Sequence, residues 1–183
     1  QAASVLGRDF SPALLQAVTG GADVRPRLAA LMDAEFLYEA ATGADTLCVF
    51  RHALTQDVAY ESLAPERRRA LHGAAGRALE TLHAGRLDEV LDQVAFHYGA
   101  SDARDKAIHY LVRCAARSAA RYANVEAATL LAQALFHAER LPQGPDADRT
   151  VLDLAFRQAH SLGLLGQFQK ILERVSMETP RAV

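Results

Sequence analysis

The stretch that decides the fold is TLCVFRHALTQDVAYESLAPERRR, residues 46–69. Its first six residues are rich in β-branched and aromatic side chains, which predicts a strand. The spacing then becomes helical, with Leu54, Val58 and Leu63 on one side, and we expect that side to be buried. His52 therefore lies at a strand-to-helix junction, where the first N–H groups of the helix lack backbone partners. Such a junction can hold an anion if another domain supplies the rest of the pocket.

The residues before this stretch predict three helices and the first strand of a hairpin. Phe36 begins that strand, Thr42–Asp45 is predicted to turn, and Thr46–Arg51 returns as its partner. Three helices followed by a hairpin is the order of a winged helix. The predicted helices are an apolar one from Gln1 to Leu6, a second that starts at Ser11-Pro12, and a third capped by Asp23.

Two segments resemble a known family. Residues 50–63, FRHALTQDVAYESL, resemble the F-[KR]-H-x-L-x-[QE]-[DE]-x-A-Y-x-S-L signature of regulatory ATPases with STAND-type architecture. Residues 2–10, AASVLGRDF, resemble the A-[AS]-V-[IL]-G-R-x-F segment that opens the winged-helix part of the same proteins. The resemblance covers about residues 1–140. Many members of this family are attached to class III adenylate or guanylate cyclase domains in bacteria.

The resemblance gives His52 a candidate role. In STAND ATPases a histidine at the corresponding junction reaches the β-phosphate of bound ADP and locks the resting state. His52-Ala53-Leu54 resembles the M-H-D segment of other members, with Ala53 where those have Asp. An imidazole near a helix N-terminus and a diphosphate would be a charge-assisted donor. The alternative is a histidine that caps the local backbone or packs at the wing.

A connecting helix is predicted over residues 65–86, with Pro65 at its first position. Its buried stripe is expected to contain Leu71, Ala75, Ala78 and Leu82. The basic cluster Arg67, Arg68 and Arg69 lies near its start. One interpretation is a docking patch for an acidic partner or nucleotide phosphates, and the other is a solvated helix face.

Residues 87–183 predict one helix after another, interrupted most clearly by PQGP at 142–145. The segment resembles tetratricopeptide-type helix pairs, best around Gly166. If Ala107, Ala128 and Ile171 are equivalent, the intervals are irregular, unlike a regular repeat of about 34 residues. We therefore expect an irregular helical array, with a concave face and an unfinished end that self-associates or is covered by later repeats.

Composition narrows the classes of protein. Half of the 183 residues are apolar and the net charge is −2, so neither nucleic acid nor an anionic membrane is favoured as a partner. Cys48 and Cys114 lie in apolar segments, typical of buried reduced thiols, although a disulfide is an alternative. No apolar run reaches the length of a membrane span, and we expect a cytoplasmic protein. Because the chain starts with Gln1 inside an apparent helix, we expect it to be a piece of a longer protein.

The sequence shows no pattern for catalysis. The seven histidines contain no pair at i,i+3 or i,i+4, so no metal site is predicted. There is no nucleophile elbow, phosphate loop or cyclase catalytic segment. The first 64 residues contain four arginines and eight acidic residues, and a net charge of −4 disfavours DNA reading by the predicted winged helix.

These observations predict a mainly α protein: a winged-helix module with a small β-hairpin (1–64), a connecting helix (65–86) and a tetratricopeptide-like array (87–183). We expect no catalysis and no cofactor within the chain, with ADP or ATP bound by the parent protein. Its partners would be the rest of its own polypeptide and a protein partner or inducer. Two alternatives stay open: part of a DNA-binding transcription activator of the same superfamily, and an unrelated tetratricopeptide scaffold.

Overall fold

The computed structural model describes residues 1–42 and 45–178 of the chain, and it is mainly helical with one small antiparallel sheet. The prediction of a mainly α fold with a small hairpin is confirmed. The chain divides into two compact units, Gln1–Asp102 and Ala103–Val183. The predicted module boundaries after residues 64 and 86 stay predictions. Among the described residues, no helix combines the length and the apolar character needed to cross a bilayer.

The first unit contains five α-helices, two 3-10 helices and three strands among its described residues. Ser11 caps its first α-helix, as predicted, because the Ser11 hydroxyl accepts a hydrogen bond from the N–H of Leu14. The elements are a 3-10 helix Ala2–Leu6, β1 Asp9–Phe10, α1 Pro12–Val18, α2 Arg25–Asp33, β2 Leu37–Thr42, β3 Asp45–Phe50, α3 Ala53–Glu61, α4 Pro65–Leu82, a second 3-10 helix Leu87–Val90 and α5 Leu91–Gly99.

The sheet has the order β1-β3-β2, and both pairs of strands are antiparallel. The predicted hairpin is confirmed: Leu37 lies opposite Phe50 at one end of the β2–β3 pair. The predicted turn Thr42–Asp45 includes residues 43 and 44, which lie outside the described residues. The sequence did not predict β1, which places Phe10 opposite Cys48. β3 is therefore the central strand, bonded on both of its edges.

The core of this part of the unit contains side chains from the whole length of the segment 1–50. The rings of Phe10 and Phe50 lie 5.9 Å apart between centroids, inside one apolar cluster. Cys48 belongs to it and is completely buried, and burial raises the pKa of its thiol. Both Cys48 and Cys114 are buried free cysteines. The remaining members of the cluster are Ala3, Leu15, Val24, Leu28 and Leu37.

The predicted buried side of α3 is wrong. Leu54 is 72% exposed and Val58 is 61% exposed, and only Leu63, beyond the end of the helix, is buried. The opposite side of α3 is turned inward, because Gln56 and Tyr60 bond to other elements of the unit. Tertiary hydrogen bonds therefore override the apolar pattern of this nine-residue helix.

α4 and α5 pack closely because a glycine lies where they meet. A Cβ atom placed on Gly76 of α4 would lie 2.8 Å from the Tyr98 ring of α5. Tyr98 is buried, and its hydroxyl donates to Glu80 at 2.5 Å. Three members of the predicted α4 stripe, Leu71, Ala75 and Ala78, are buried, but Leu82 is half exposed. Leu82 is the last residue of α4.

The second unit is a succession of helices in which α6 packs on α7, α7 on α8 and α8 on α9. The small residues Ala107, Cys114 and Ala134 are buried at these contacts and allow close approach. The predicted break at residues 142–145 separates α7 from α8, and Gly166, at φ 69°, precedes α9. Ala119 and Ala132 of the predicted stripes are exposed. The helices are α6 Arg104–Ala120, α7 Asn124–Ala138, α8 Pro145–Leu164 and α9 Phe168–Glu178.

The packing of α4 on α5 generates a stability prediction. Gly76→Ala should lower the free energy of unfolding by about 1–3 kcal/mol, because the new methyl group overlaps the Tyr98 ring and the clash outweighs the gain in helix propensity. Urea unfolding followed by circular dichroism measures the change.

Gly73→Ala is the matched control in the same helix. A Cβ atom on Gly73 would make ordinary contacts, the nearest at 3.5 Å to a terminal nitrogen of Arg77. This variant should be as stable as the wild type, or more stable by up to about 1 kcal/mol. Equal effects of the two substitutions would contradict the packing described for Tyr98.

Candidate functional site

His52 lies at the junction between β3 and α3, as the sequence predicted. It is the N-cap residue of α3, with φ −125° and ψ 130°, and its carbonyl oxygen accepts a 3.1 Å hydrogen bond from the N–H of Thr55. Its imidazole is exposed and makes no capping hydrogen bond. The side chain contacts no polar group or ring among the described residues. It is therefore open to a molecule from outside the chain.

The two segments that resemble STAND ATPases are in direct contact. Gln56 Nε2 donates to the carbonyl oxygen of Ser4 at 2.8 Å, and Ser4 is almost completely buried. The N–H of Phe50 donates to the carbonyl oxygen of Arg8 at 2.9 Å. The structure thus connects residues about 50 positions apart in sequence into one local assembly around the junction.

A buried polar chain runs from α3 to α5 and consists of Tyr60, His72 and His97. The Tyr60 hydroxyl lies 3.1 Å from His72 Nε2. His72 Nδ1 in turn lies 3.0 Å from His97 Nδ1. His72 is 1% exposed and His97 is 4% exposed. The sequence analysis missed this pair because the two histidines are 25 residues apart. The sequence signal that could have indicated their burial is that each histidine lies among the apolar residues of a helix that was predicted to be partly buried.

Both histidines are neutral at physiological pH. Burial, and to a lesser extent the guanidinium of Arg68, lowers the pKa of His72 to about 4. Burial also lowers the pKa of His97 to about 4, with a smaller contribution from His72. A hydrogen bond between two neutral imidazoles needs one N–H donor and one bare nitrogen. The direction of this bond therefore fixes the tautomer of both rings and the direction of the bond to Tyr60.

The three arginines of the basic cluster have different surroundings. Arg68 lies 4.3 Å over the Tyr60 ring and forms a 3.1 Å ion pair with Glu61. Arg69 forms ion pairs with Glu66 and Asp102. Arg67 is exposed. Arg68 and Arg69 thus contact acidic residues of their own unit, which leaves Arg67 as the most accessible member of the predicted docking patch.

Within residues 1–42 and 45–178, no three His, Cys, Asp or Glu side chains gather as a metal would require. The polar chain can pass a change of hydrogen-bond direction from α5 to α3, because each imidazole has two distinct nitrogens. His52 is the accessible imidazole next to that helix.

The buried histidines generate a pH prediction. Between pH about 6.5 and about 4 the unfolded histidines bind protons and the folded ones do not, so stability falls as pH falls through this window. From about pH 7 to about pH 5, each histidine should lower the free energy of unfolding by about 2 kcal/mol. Urea unfolding at the two pH values measures the effect. Over this range, the free energy of unfolding should decrease by at least about 2 kcal/mol less in the His72→Gln/His97→Gln double variant than in the wild type.

The decrease in the free energy of unfolding between the two pH values is the quantity to compare between the variants. The absolute stability at one pH is not suitable, because the substitutions also change packing.

In the wild type, the Cε1–H resonances of His72 and His97 should keep the chemical shifts of neutral imidazole at about pH 5.5. Imidazolium shifts at that pH would show that burial does not keep the pair neutral.

Comparisons of the chain with protein families, with curated proteins and with solved structures give no match. Residues 2–10 and residues 50–63 meet at the β3–α3 junction.

Proposed function

We propose that this chain is a non-catalytic regulatory part of a bacterial signalling ATPase of the STAND type, of the kind attached to nucleotide cyclases. One observation carries the proposal: two separate segments that resemble this family lie against each other, held by the bond from Gln56 to Ser4. A chance resemblance of two short segments gives no reason for them to meet in space. The junction that they form presents the imidazole of His52 to the outside.

The order of elements in the first unit supports a winged-helix role. A short helix, two α-helices and a hairpin follow one another, with β1 added to the free edge of β3. In the parent ATPase, a nucleotide-binding domain would bring the β-phosphate of ADP to His52. The imidazole and the first N–H groups of α3 would favour the ADP-bound arrangement. Nucleotide exchange would then shift the population between resting and active states.

The second unit supports the part of the proposal that concerns a partner or inducer. A groove of about 1050 Å³ lies among α6, α7 and α8. Its wall is apolar where Ala115, Ala116 and Leu131 line it, and Phe156 stands 82% exposed at its side. A tetratricopeptide-like array would use such a concave face to bind a protein segment, and an end that exposes Phe168 and Leu172 would be covered by further repeats or a second copy. The array would transmit binding to the ATPase in the cytoplasm.

The rival function is a transcription activator of the same superfamily whose DNA reader lies outside this chain. The charges of α2 argue against DNA reading here. Arg25 is paired with Asp23 at 3.0 Å, and the same helix ends at Asp33. Phosphate contacts need unpaired basic groups, and this surface offers few.

The role of His52 has a direct test in the full-length polypeptide that contains this chain. His52→Ala should increase the dissociation rate of ADP and the basal ATPase activity by about tenfold, the effect of losing one charge-assisted hydrogen bond. ADP retention after gel filtration and steady-state hydrolysis measure the two changes.

His109→Ala, which removes an exposed histidine from the second unit, is the control and should leave both quantities unchanged. Retention of ADP by His52→Ala at the wild-type level would remove the proposed role of this residue.

The rival function is tested by a gel shift of the chain with duplex DNA at low salt, where electrostatic binding is strongest. We expect no retardation, because the first 64 residues have a net charge of −4. Retardation that disappears in the Arg25→Ala/Arg27→Ala variant would instead favour DNA reading by α2.

A further inference from the structure

The first unit contains a groove that the functions proposed above do not use. It has a volume of about 900 Å³ and is lined by residues of β1, α1, β3, α4, the second 3-10 helix and α5. This volume lies within the range of sites for small organic molecules. Apolar side chains make most of its wall, among them Phe10, Leu14, Leu79, Leu82, Val90 and Phe96.

His97 supplies a hydrogen-bonding atom to this groove. Its Nδ1 is bonded to His72, and its Nε2 has no partner among the described residues. The buried side-chain nitrogens and oxygens that lack a partner there are Arg68 Nε and His83 Nδ1. His97 Nε2 must therefore reach accessible surface, although the residue is 96% buried, at 4% exposure. His97 lines the groove, which is where an accessible Nε2 would meet a ligand.

The other imidazole of the wall offers no such atom. His83 also lines the groove, but its Nδ1 is buried from solvent, so a molecule in the groove does not reach it. The accessible, unpartnered nitrogen of the otherwise buried His97, in a largely apolar wall, indicates a site for a molecule with a polar group on an apolar body.

The distribution of charge selects an uncharged molecule. The charged residues of the wall, Asp9, Arg86 and Asp92, are all exposed at the rim. In the interior, His97 is neutral at physiological pH because burial lowers its pKa to about 4. A charged group placed beside it would lose its water without gaining an opposite charge.

We propose that this groove binds an uncharged, drug-sized molecule with an aromatic ring system and a hydroxyl group, held by a hydrogen bond to His97 Nε2. A hydroxyl fits best because it both donates and accepts, and Nε2 is a donor in one tautomer of the His72–His97 pair and an acceptor in the other. The Phe96 ring, 61% exposed and 5.2 Å from the His97 ring, offers a face for aromatic contact. This inference is independent of the proposed ATPase function, because it uses neither His52 nor a nucleotide.

A pair of matched probes tests the site on the full chain: 2-naphthol, and 2-methylnaphthalene, which has the same shape without the hydroxyl group. Fluorescence titration gives Kd for each probe, and the ¹⁵N resonance of His97 Nε2 in histidine-labelled protein reports the location. We expect 2-naphthol to bind with a Kd of about 0.1–1 mM, as its size allows. The methyl analogue should bind about fivefold to tenfold more weakly, which corresponds to one net hydrogen bond.

Three variants separate this site from other apolar surfaces. His97→Phe should lose or reverse the preference for 2-naphthol, because the groove remains but the hydroxyl is desolvated without a hydrogen-bond partner. Retained binding of 2-methylnaphthalene shows that the variant is folded. Leu82→Asp, a substitution in the wall, should weaken both probes by about tenfold or more. Phe156→Asp, in the groove of the second unit, should change neither Kd.

Three results would overturn the inference. The first is saturable wild-type binding without preference for the hydroxyl or without a shift of the His97 Nε2 resonance. The second is loss of binding in Phe156→Asp with wild-type binding in Leu82→Asp, which would place the probe in the second unit. The third is absence of saturable binding of 2-naphthol up to its solubility limit.

Discussion

The first unit depends on one constraint: β3 must satisfy its backbone on both edges. A strand with an open edge exposes a row of unpaired N–H and C=O groups, and here β2 and β1 cover one edge each. β1 is only two residues long, yet its position brings Phe10 against Phe50 and the chain around Arg8 within bonding distance of the end of β3. Because α3 starts two residues after β3 ends, the sheet also fixes where α3 begins and how His52 is presented.

The second constraint is the placement of polar groups inside apolar packing. Burying an imidazole is unfavourable unless its nitrogens find partners, and His72 satisfies both of its own with Tyr60 and His97. The same bonds orient α3, since Tyr60 faces inward and Leu54 is left outside. The exposed apolar side of α3 and the buried polar chain are thus two consequences of one arrangement. Among the described residues, His97 has a hydrogen-bond partner for Nδ1 and none for Nε2, so His97, unlike His72, can bond to a ligand.

Local chemistry made much of the fold predictable. The Ser11 cap, the start of α4 at Pro65 and the change of period at Ala53 all depend on neighbouring residues, and each was predicted within a residue or two. The break at residues 142–145 was predicted in the same way. Non-local pairing was not predictable in this way. β1 is too short to show alternation, and the apolar residues of α3 suggested the wrong buried side because tertiary bonds decided its orientation. The histidine pair had no signature at short spacing, and the partners of Arg68 and Arg69 are set by tertiary structure.

The central claim, that β3 is bonded on both edges and so fixes the β3–α3 junction, is tested most directly by amide hydrogen exchange measured by NMR. The N–H of Phe50 donates to Arg8, toward β1, and the N–H of Arg51 donates to Phe36, toward β2. Both amides should exchange as slowly as those in the interior of α4, because opening either requires the unit to unfold. Fast exchange of the Phe50 amide with a protected Arg51 amide would contradict the claim, since it would show that β1 does not hold the edge of β3.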